Sequence, residues 1–535
     1  MDGATGRDTN DCSAQATPCR TIQAAINQSS DGDSILVAAG TYSETLTITR
    51  SLAITGGVNL SGTESGPTVV DAAGLMNSVA TISTTAGVTL TTMTLQHGNK
   101  QGGDGTGGGI DALAGSVTLS DTTVLSNTAS GDGGGISMIG AAPLSVISST
   151  LSDNQAGPGA AAANVGSTGL NGGKGSDGGG IYMNGATAPL SVISSTLSGN
   201  QAGYAGGVSF GHGGAAGGSG SGSGGGIYAG GAVTLTTSPV LGNSASGDGG
   251  GIEALSAVTV FTSTLRGNRA GGQGGALAAG SAVGAAAARV RTSTFFANAA
   301  NLGGGAIAIF SSALALTNTT LIGNAANLGG GGAITTSGAL SITASTLVSN
   351  TADLAGGAIA TTMGAAATLT NALLAFNRDG GGGAPNSCAA PVADGGHNLE
   401  YPSNTCGFST GAPYNDQFGD PLVASMLADN GGPTPTLAVA AAGAAYAHGD
   451  GTVCRQPVPD GVGGVDQRGY PRPTTGPCTI GAFEPQSTTL TLASAPNPSV
   501  VGQQVTLTTT VAPPHTQASP VTGRSPSPPR TQTAP

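Results

Sequence analysis

Ser345-Thr-Leu-Val-Ser-Asn350-Thr-Ala-Asp-Leu-Ala-Gly-Gly-Ala-Ile359 decides how this chain is read. It joins two signals that recur together. One is an Asn three positions after an apolar residue, and the other is a Gly-rich step ending in an aliphatic residue. The asparagines are Asn127, Asn154, Asn200, Asn243, Asn268, Asn298, Asn324, Asn350 and Asn377. The aliphatic residues are Ile110, Ile136, Ile181, Ile227, Ile252, Leu277, Ile307, Ile334 and Ile359. From Asn to the next aliphatic step takes 9 or 10 residues in six of eight cases, and 27 after Asn154 and Asn200. The repeat is therefore about 25 to 27 residues long, with one place where two neighbouring repeats carry an insertion. A period of this length defines a solenoid.

Its type follows from local chemistry. Val117-Thr-Leu-Ser and Leu340-Ser-Ile-Thr have strand composition and alternate with period two. A leucine-rich repeat also carries Leu-x-x-Asn, but it needs a helical segment on its convex side. The Gly runs here oppose helix by ~1 kcal/mol per Gly relative to Ala. Asn and Gly suit tight turns with positive φ. One Asn per coil also predicts a stacked amide ladder at a spacing of ~4.8 Å. The expected fold is all-β, a right-handed parallel β-helix of roughly 12 coils. Ile22, Ala25 and Ile26 have helical spacing and predict a short helix covering the first coil. The predicted organisation is a cap over 1–33, coils over 34–385, an irregular disulfide-bearing module over 386–485, strands over 486–514 and a disordered tail over 515–535.

Composition narrows the function. The 535 residues include 96 Gly, no Trp and only 8% charged residues, with a net charge of −12. Without a strict Gly-X-Y period the chain is not collagen, and its 38% hydrophobic content is too apolar for disorder. The acidic balance argues against nucleic acid, and no apolar run reaches the ~18 residues of a membrane span. The cysteines fall in three local pairs, Cys12 with Cys19, Cys388 with Cys406, and Cys454 with Cys478. Sequential disulfides are expected, and with them an oxidising, extracellular or bacterial cell-surface location.

Several motifs resemble known families. Pro18-Cys-Arg-Thr-Ile-Gln-Ala-Ala-Ile and Gly32-Asp-Ser-Ile-Leu-Val-Ala-Ala-Gly-Thr-Tyr resemble the opening of pectate-lyase-like and pectinesterase-like β-helices. Gly357-Ala-Ile and Phe295-Phe-Ala-Asn298 resemble the repeats of polymorphic outer-membrane proteins, a family of bacterial surface adhesins. Leu427-Ala-Asp-Asn-Gly-Gly-Pro-Thr-Pro-Thr, Asp466-Gln-Arg-Gly-Tyr-Pro-Arg-Pro and Cys478-Thr-Ile-Gly-Ala-Phe-Glu484 resemble the choice-of-anchor Q module, which implies a surface location. Ser487 to Thr508 resembles the first strands of a bacterial Ig-like repeat.

Candidate chemistry is sparse. Asp132, Asp177 and Asp248 each stand four residues before an aliphatic step. Asp132 and Asp177 lie in neighbouring coils, where they are expected about one strand spacing apart as a calcium site or a raised-pKa pair. The plainer reading is an Asp capping its own Gly turn. Gly211-His-Gly213 is similar to a polygalacturonase motif whose partner residues are absent from this sequence. The two insertions, 155–180 and 201–226, are expected side by side, with Lys174, Tyr204, Phe210 and His212 as candidate binding residues. The expected function is a surface adhesin or stalk without catalysis, contacting cell-surface glycans or a neighbouring cell. The alternative is a polysaccharide lyase or hydrolase using the aspartate column.

Overall fold

The computed structural model describes residues 1–59, 66–102, 104–159, 174–205, 220–280, 287–380, 383–459, 461–486 and 489–512. Thr21 caps the predicted helix, Ile22–Gln28, by accepting from the N–H of Ala24, and Ile22, Ala25 and Ile26 face the first coil. Beyond it the chain winds as a parallel β-solenoid. A first sheet of thirteen strands runs from Ser34–Ala38 to Ala393–Asp394. A second, of eleven, runs from Leu46–Ile48 to Ile359–Thr361. A third, of thirteen, runs from Gly40–Tyr42 to Leu399–Tyr401. Parallel pairing thus passes residue 385, with Leu399–Tyr401 on Leu373–Ala375 and a further parallel bridge from Leu399 to Gln417.

Period-two alternation becomes a core because each strand pairs in register with its copy one coil away. Val117 lies over Leu144 and Leu119 over Val146 in the first sheet, Ile110 over Ile136 in the second, and Val124 over Leu151 in the third. All of these are buried, and Phe295 is the largest wholly buried side chain. Each such aliphatic contributes roughly 1.5–3 kcal/mol relative to exposure.

The corners hold polar ladders. From Asn127 to Asn377, the Oδ1 of each Asn accepts both the backbone N–H and the Nδ2–H of the Asn one coil earlier. In the middle of the stack these distances are 3.0 and 2.9 Å, from Asn268 to Asn298. The second Nδ2–H donates to the carbonyl of the apolar residue in the preceding coil, as Asn268 does to Val240 at 2.9 Å. Gly98 closes one end by donating to Asn127, and Ser387 closes the other by accepting from Asn377. Every ladder Asn is at most 1% exposed, so each buried amide has its hydrogen bonds met inside the stack.

The expected positive φ is met at turn glycines such as Gly133 and Gly178, but not at the ladder asparagines. At the ladder corner it belongs to the residue before each Asn, including Asp153, Ala297, Ser349 and Phe376. The Asn is needed for its amide, and the left-handed corner is imposed on whichever residue precedes it. The leading Ser/Thr of the repeat builds a second ladder. The N–H of Ser149 donates to Ser195 Oγ, that of Ser195 to Ser238, and that of Ser238 to Ser263. Each hydroxyl donates to the carbonyl two residues earlier in its own coil.

All three sequential disulfides form, and none of the cysteines is free. The first part of the disulfide-bearing module continues the rod through Ala393–Asp394 and Leu399–Tyr401, but the rest does not. It folds back against the third sheet, covering Ile322, Val348, Leu373 and Leu399 with Leu437, Val439, Ile480 and Phe483. Its segments 466–473 and 478–484 form a buried polar knot. Arg468 pairs with Asp466 at 2.7 Å and Arg472 with Glu484 at 3.2 Å. Gln467 reaches across to Thr294 and accepts from Thr320. Asn318 accepts from Arg472 and donates to Val465 O, while Asn371 accepts from the N–H of Asp450. Residues 489–495 and 506–512 form one antiparallel hairpin. Among the described residues, no helix is long and apolar enough to cross a membrane.

Candidate functional site

The acidic groups meet on the outer side of the second sheet. Its strands are three residues long, with two side chains inward and the middle one outward. Registered pairing stacks the outward positions as Asp111, Ser137, Tyr182, Tyr228 and Glu253. The Gly turns fold over this column, leaving Asp111 and Glu253 only 2% and 5% exposed. The Tyr182 and Tyr228 rings stack with centroids 5.4 Å apart.

The turn column carries Asp132, Asp177, Ser223 and Asp248. Asp132 and Asp177 are brought together as neighbours, but through the backbone. Asp132 Oδ1 accepts from the Asp177 N–H at 2.7 Å, and Asp177 Oδ1 from the Ser223 N–H at 2.8 Å. Ser223 Oγ accepts from the Asp248 N–H at 3.2 Å, and Asp248 Oδ1 from the Gln273 N–H at 2.6 Å. The serine that interrupts the acidic pattern therefore performs the same task. These carboxylates cap the turn of the next coil, where the plainer reading had each capping its own.

Charge is balanced at two points. Lys174 Nζ lies 2.5 Å from Asp177 Oδ2, and Lys100 Nζ 3.6 Å from Asp111 Oδ2. Burial, with Asp104 nearby, pushes Asp111 up to about 6. Burial also raises Asp132 and Asp248. Glu253 is raised well above the usual range by burial, then by Asp248 and Asp177, and its Oε2 has no hydrogen-bond partner. Burial holds the Tyr228 hydroxyl at about 12. No group of three or more His, Cys, Asp or Glu is placed to hold a metal ion among the described residues.

The insertion stems pair with one another, through Gly159 N–H to Tyr204 O at 2.7 Å and Gly175 N–H to Gly220 O at 3.2 Å. Tyr204 is half-exposed, with its hydroxyl accepting from Gln201. Phe210 and His212 lie outside the described residues. Sequence reading passed over Glu253 and the tyrosine pair. Their signal was a polar or aromatic residue directly after the aliphatic step, a position that is Ala in Leu277-Ala and Ile307-Ala.

Fold and column together define a parallel β-solenoid whose one acidic-aromatic face is roofed by its own turns. Residues 4–227 match a family described as "Protein of unknown function (DUF1565)". That stretch holds most of the cap, the first coils and both insertions. No curated protein matches the chain.

Proposed function

We propose that this chain is a secreted or bacterial cell-surface protein that serves as a stiff stalk or adhesive wall and performs no catalysis. The observation that carries this reading is the use made of the acidic column. Asp132, Asp177 and Asp248 each commit a carboxylate oxygen to a backbone N–H of the next coil, which is a scaffolding use. The resemblances to outer-membrane adhesin repeats and to the choice-of-anchor Q module support the location, as do the disulfides. The expected partners are cell-surface glycans or a neighbouring cell. The test incubates purified protein with polyuronates and neutral glycans, with and without calcium. New reducing ends or unsaturated products sink the reading. Retention on a glycan column without products supports adhesion, and the absence of both leaves the stalk.

The second reading is a polysaccharide lyase or hydrolase of the pectate-lyase-like superfamily. It is favoured by the unpaired carboxyl of Glu253 beside Asp248, the kind of protonated acid that glycoside cleavage uses. On that reading Glu253→Gln and Asp132→Ala each abolish turnover in the same screen.

A further inference from the structure

Where the rod ends, two carboxyl groups converge on one asparagine. Asn398 is wholly buried between Ala393–Asp394, the last strand of the first sheet, and Leu399–Tyr401, the last of the third. Its Oδ1 accepts from the Ala372 N–H, and its Nδ2 donates to Leu369 O, both at 3.0 Å. These bonds close the corner onto the preceding coil. Asn398 then reaches two acids at once. Its N–H donates to Asp416 Oδ1 at 2.6 Å and its Nδ2 to Asp394 Oδ1 at 3.1 Å.

The donors around this pair fall one short. Asp416 is 1% exposed, and its Oδ2 accepts from the Ser409 N–H at 2.9 Å. Asp394 Oδ1 accepts a second bond, from the Gly396 N–H at 2.9 Å. Asp394 Oδ2 is buried without any donor, while the Asp394 carboxyl lies within hydrogen-bonding range of the Asp416 carboxyl. Among the described residues neither acid forms an ion pair. Two carboxylates in contact cannot both ionise at low cost. One proton between them removes the repulsion and supplies the missing donor.

The other titratable groups packed here have partners of their own. His397 Nδ1 contacts His448 O at 2.7 Å, and its Nε2 contacts the Asn415 amide at 3.5 Å. Glu400 accepts from Ser403, Thr405 and Cys406. Asp450 accepts from the Thr452 N–H, and Tyr414 gives its carbonyl to the His397 N–H. Burial, then the Asp394 carboxyl, pushes Asp416 up to about 7. The turn that holds Asp416 also carries the chain from the last coil, through the Leu399–Gln417 bridge, toward the module.

We infer that Asp394 and Asp416 share one proton and form a latch at the joint between rod and module, closed in acid and released toward neutrality. On release the proton passes to solvent and both carboxylates are left ionised. The sign follows from linkage. Unfolded aspartates titrate near about 3.9, so the latch contributes fully below that pH and fades as pH rises through the raised value. The latch is independent of whether the rod serves as adhesin or stalk.

Hydrogen exchange on the full chain tests it at the Asn398 and Ser409 amides, which donate to Asp416. After correction for intrinsic rates, their protection is expected to be at least tenfold lower at pH 8 than at pH 5. Asp394→Asn puts a fixed donor in place of the proton, and its protection should differ less than twofold between the two. His397→Asn should keep the wild-type fall. If Asp394→Asn does not fold, Asp416→Asn decides by the same reading. Wild-type protection equal at both pH values overturns the latch. A fall that persists in Asp394→Asn, or vanishes in His397→Asn, assigns the proton elsewhere and overturns it too. Calcium that restores protection at pH 8 in the wild type alone makes the pair a metal site, which equally overturns the shared proton.

Discussion

A ladder Asn is worth more than one hydrogen bond. Removing the Asn268 side chain strands the buried Asn243 N–H and one of its Nδ2–H donors, takes a donor from the Val240 carbonyl, and leaves the Asn298 Oδ1 with only the Asn268 backbone N–H. Asn268→Ala is expected to cost about 2–4 kcal/mol, and Ser263→Ala about 1 kcal/mol, in urea unfolding. A Ser263 loss matching that of Asn268 would show the amide stack to be no special support. Glu253 sets a second test at this scale. Its folded pKa is raised above 4.5, so its contribution is fully present in acid and is lost as pH rises through the raised value. Wild-type stability is expected to fall above pH 4.5 by up to about 1.4 kcal/mol per unit from this group. Glu253→Gln should remove that share of the slope, and an unchanged pH–stability profile would contradict the buried acid.

At the scale of the element, the Gly turns divide into two kinds. A Cβ on Gly134 would lie 2.3–2.5 Å from backbone atoms of Gln155, whereas one on Gly242 meets nothing within 4 Å and faces only its φ of +62°. Gly134→Ala is expected to cost about 3 kcal/mol, and Gly242→Ala about 1–2 kcal/mol. Equal losses in thermal unfolding would mean that coil spacing does not limit the turn. The coils were readable because their signals are local and repeated: alternation gives the strands, and one Asn per period gives the ladder. The Ser ladder was present in the same pattern without an assigned role, since a hydroxyl before a strand serves many turns. The lateral docking of the module was not readable, because Gln467 and Thr320 stand far apart in sequence. Its traces were breaks in the repeat. Asn318 and Asn371 occupy corners that elsewhere hold Ser, Thr, Asp or Ala, and Arg291 is a charged residue among mostly uncharged outward positions of the first sheet, where it donates to Gly461 O and Val462 O. The covered acidic column was half readable: register placed Asp132 beside Asp177, but not the roof above Glu253.

For the whole molecule, stability leans toward acid. Glu253 and Asp111 are raised by burial, as is Asp416, pushed up to about 7 with Asp394 adding to the effect. Each contribution is present below the unfolded carboxylate range and lost as pH rises, so the denaturation midpoint is expected to be higher at pH 5 than at pH 8. The opposite order would contradict the buried carboxyls. The module has its own weak point. Arg472 is 3% exposed and holds Glu484, Thr479 O, Gly481 O and Asn318. Arg472→Ala leaves a buried carboxylate unpaired and is expected to cost about 3–5 kcal/mol. Limited proteolysis should then cut 415–486 first while the coils resist, and simultaneous digestion of both would place the coils under the module's control.

The direction of the amide stack has a mechanical consequence. Its hydrogen bonds, like those of the three sheets, run along the axis of the rod, so a pull on the ends loads successive coils in series. Coils should then peel singly, each releasing roughly 80–90 Å of extended chain. The two coils with insertions hold a longer reserve. The stretch clamped by Asn318, Asn371 and Arg291 yields last, because the module must detach before those coils can unwind. A tether built this way lengthens under load in steps and keeps its remaining coils folded.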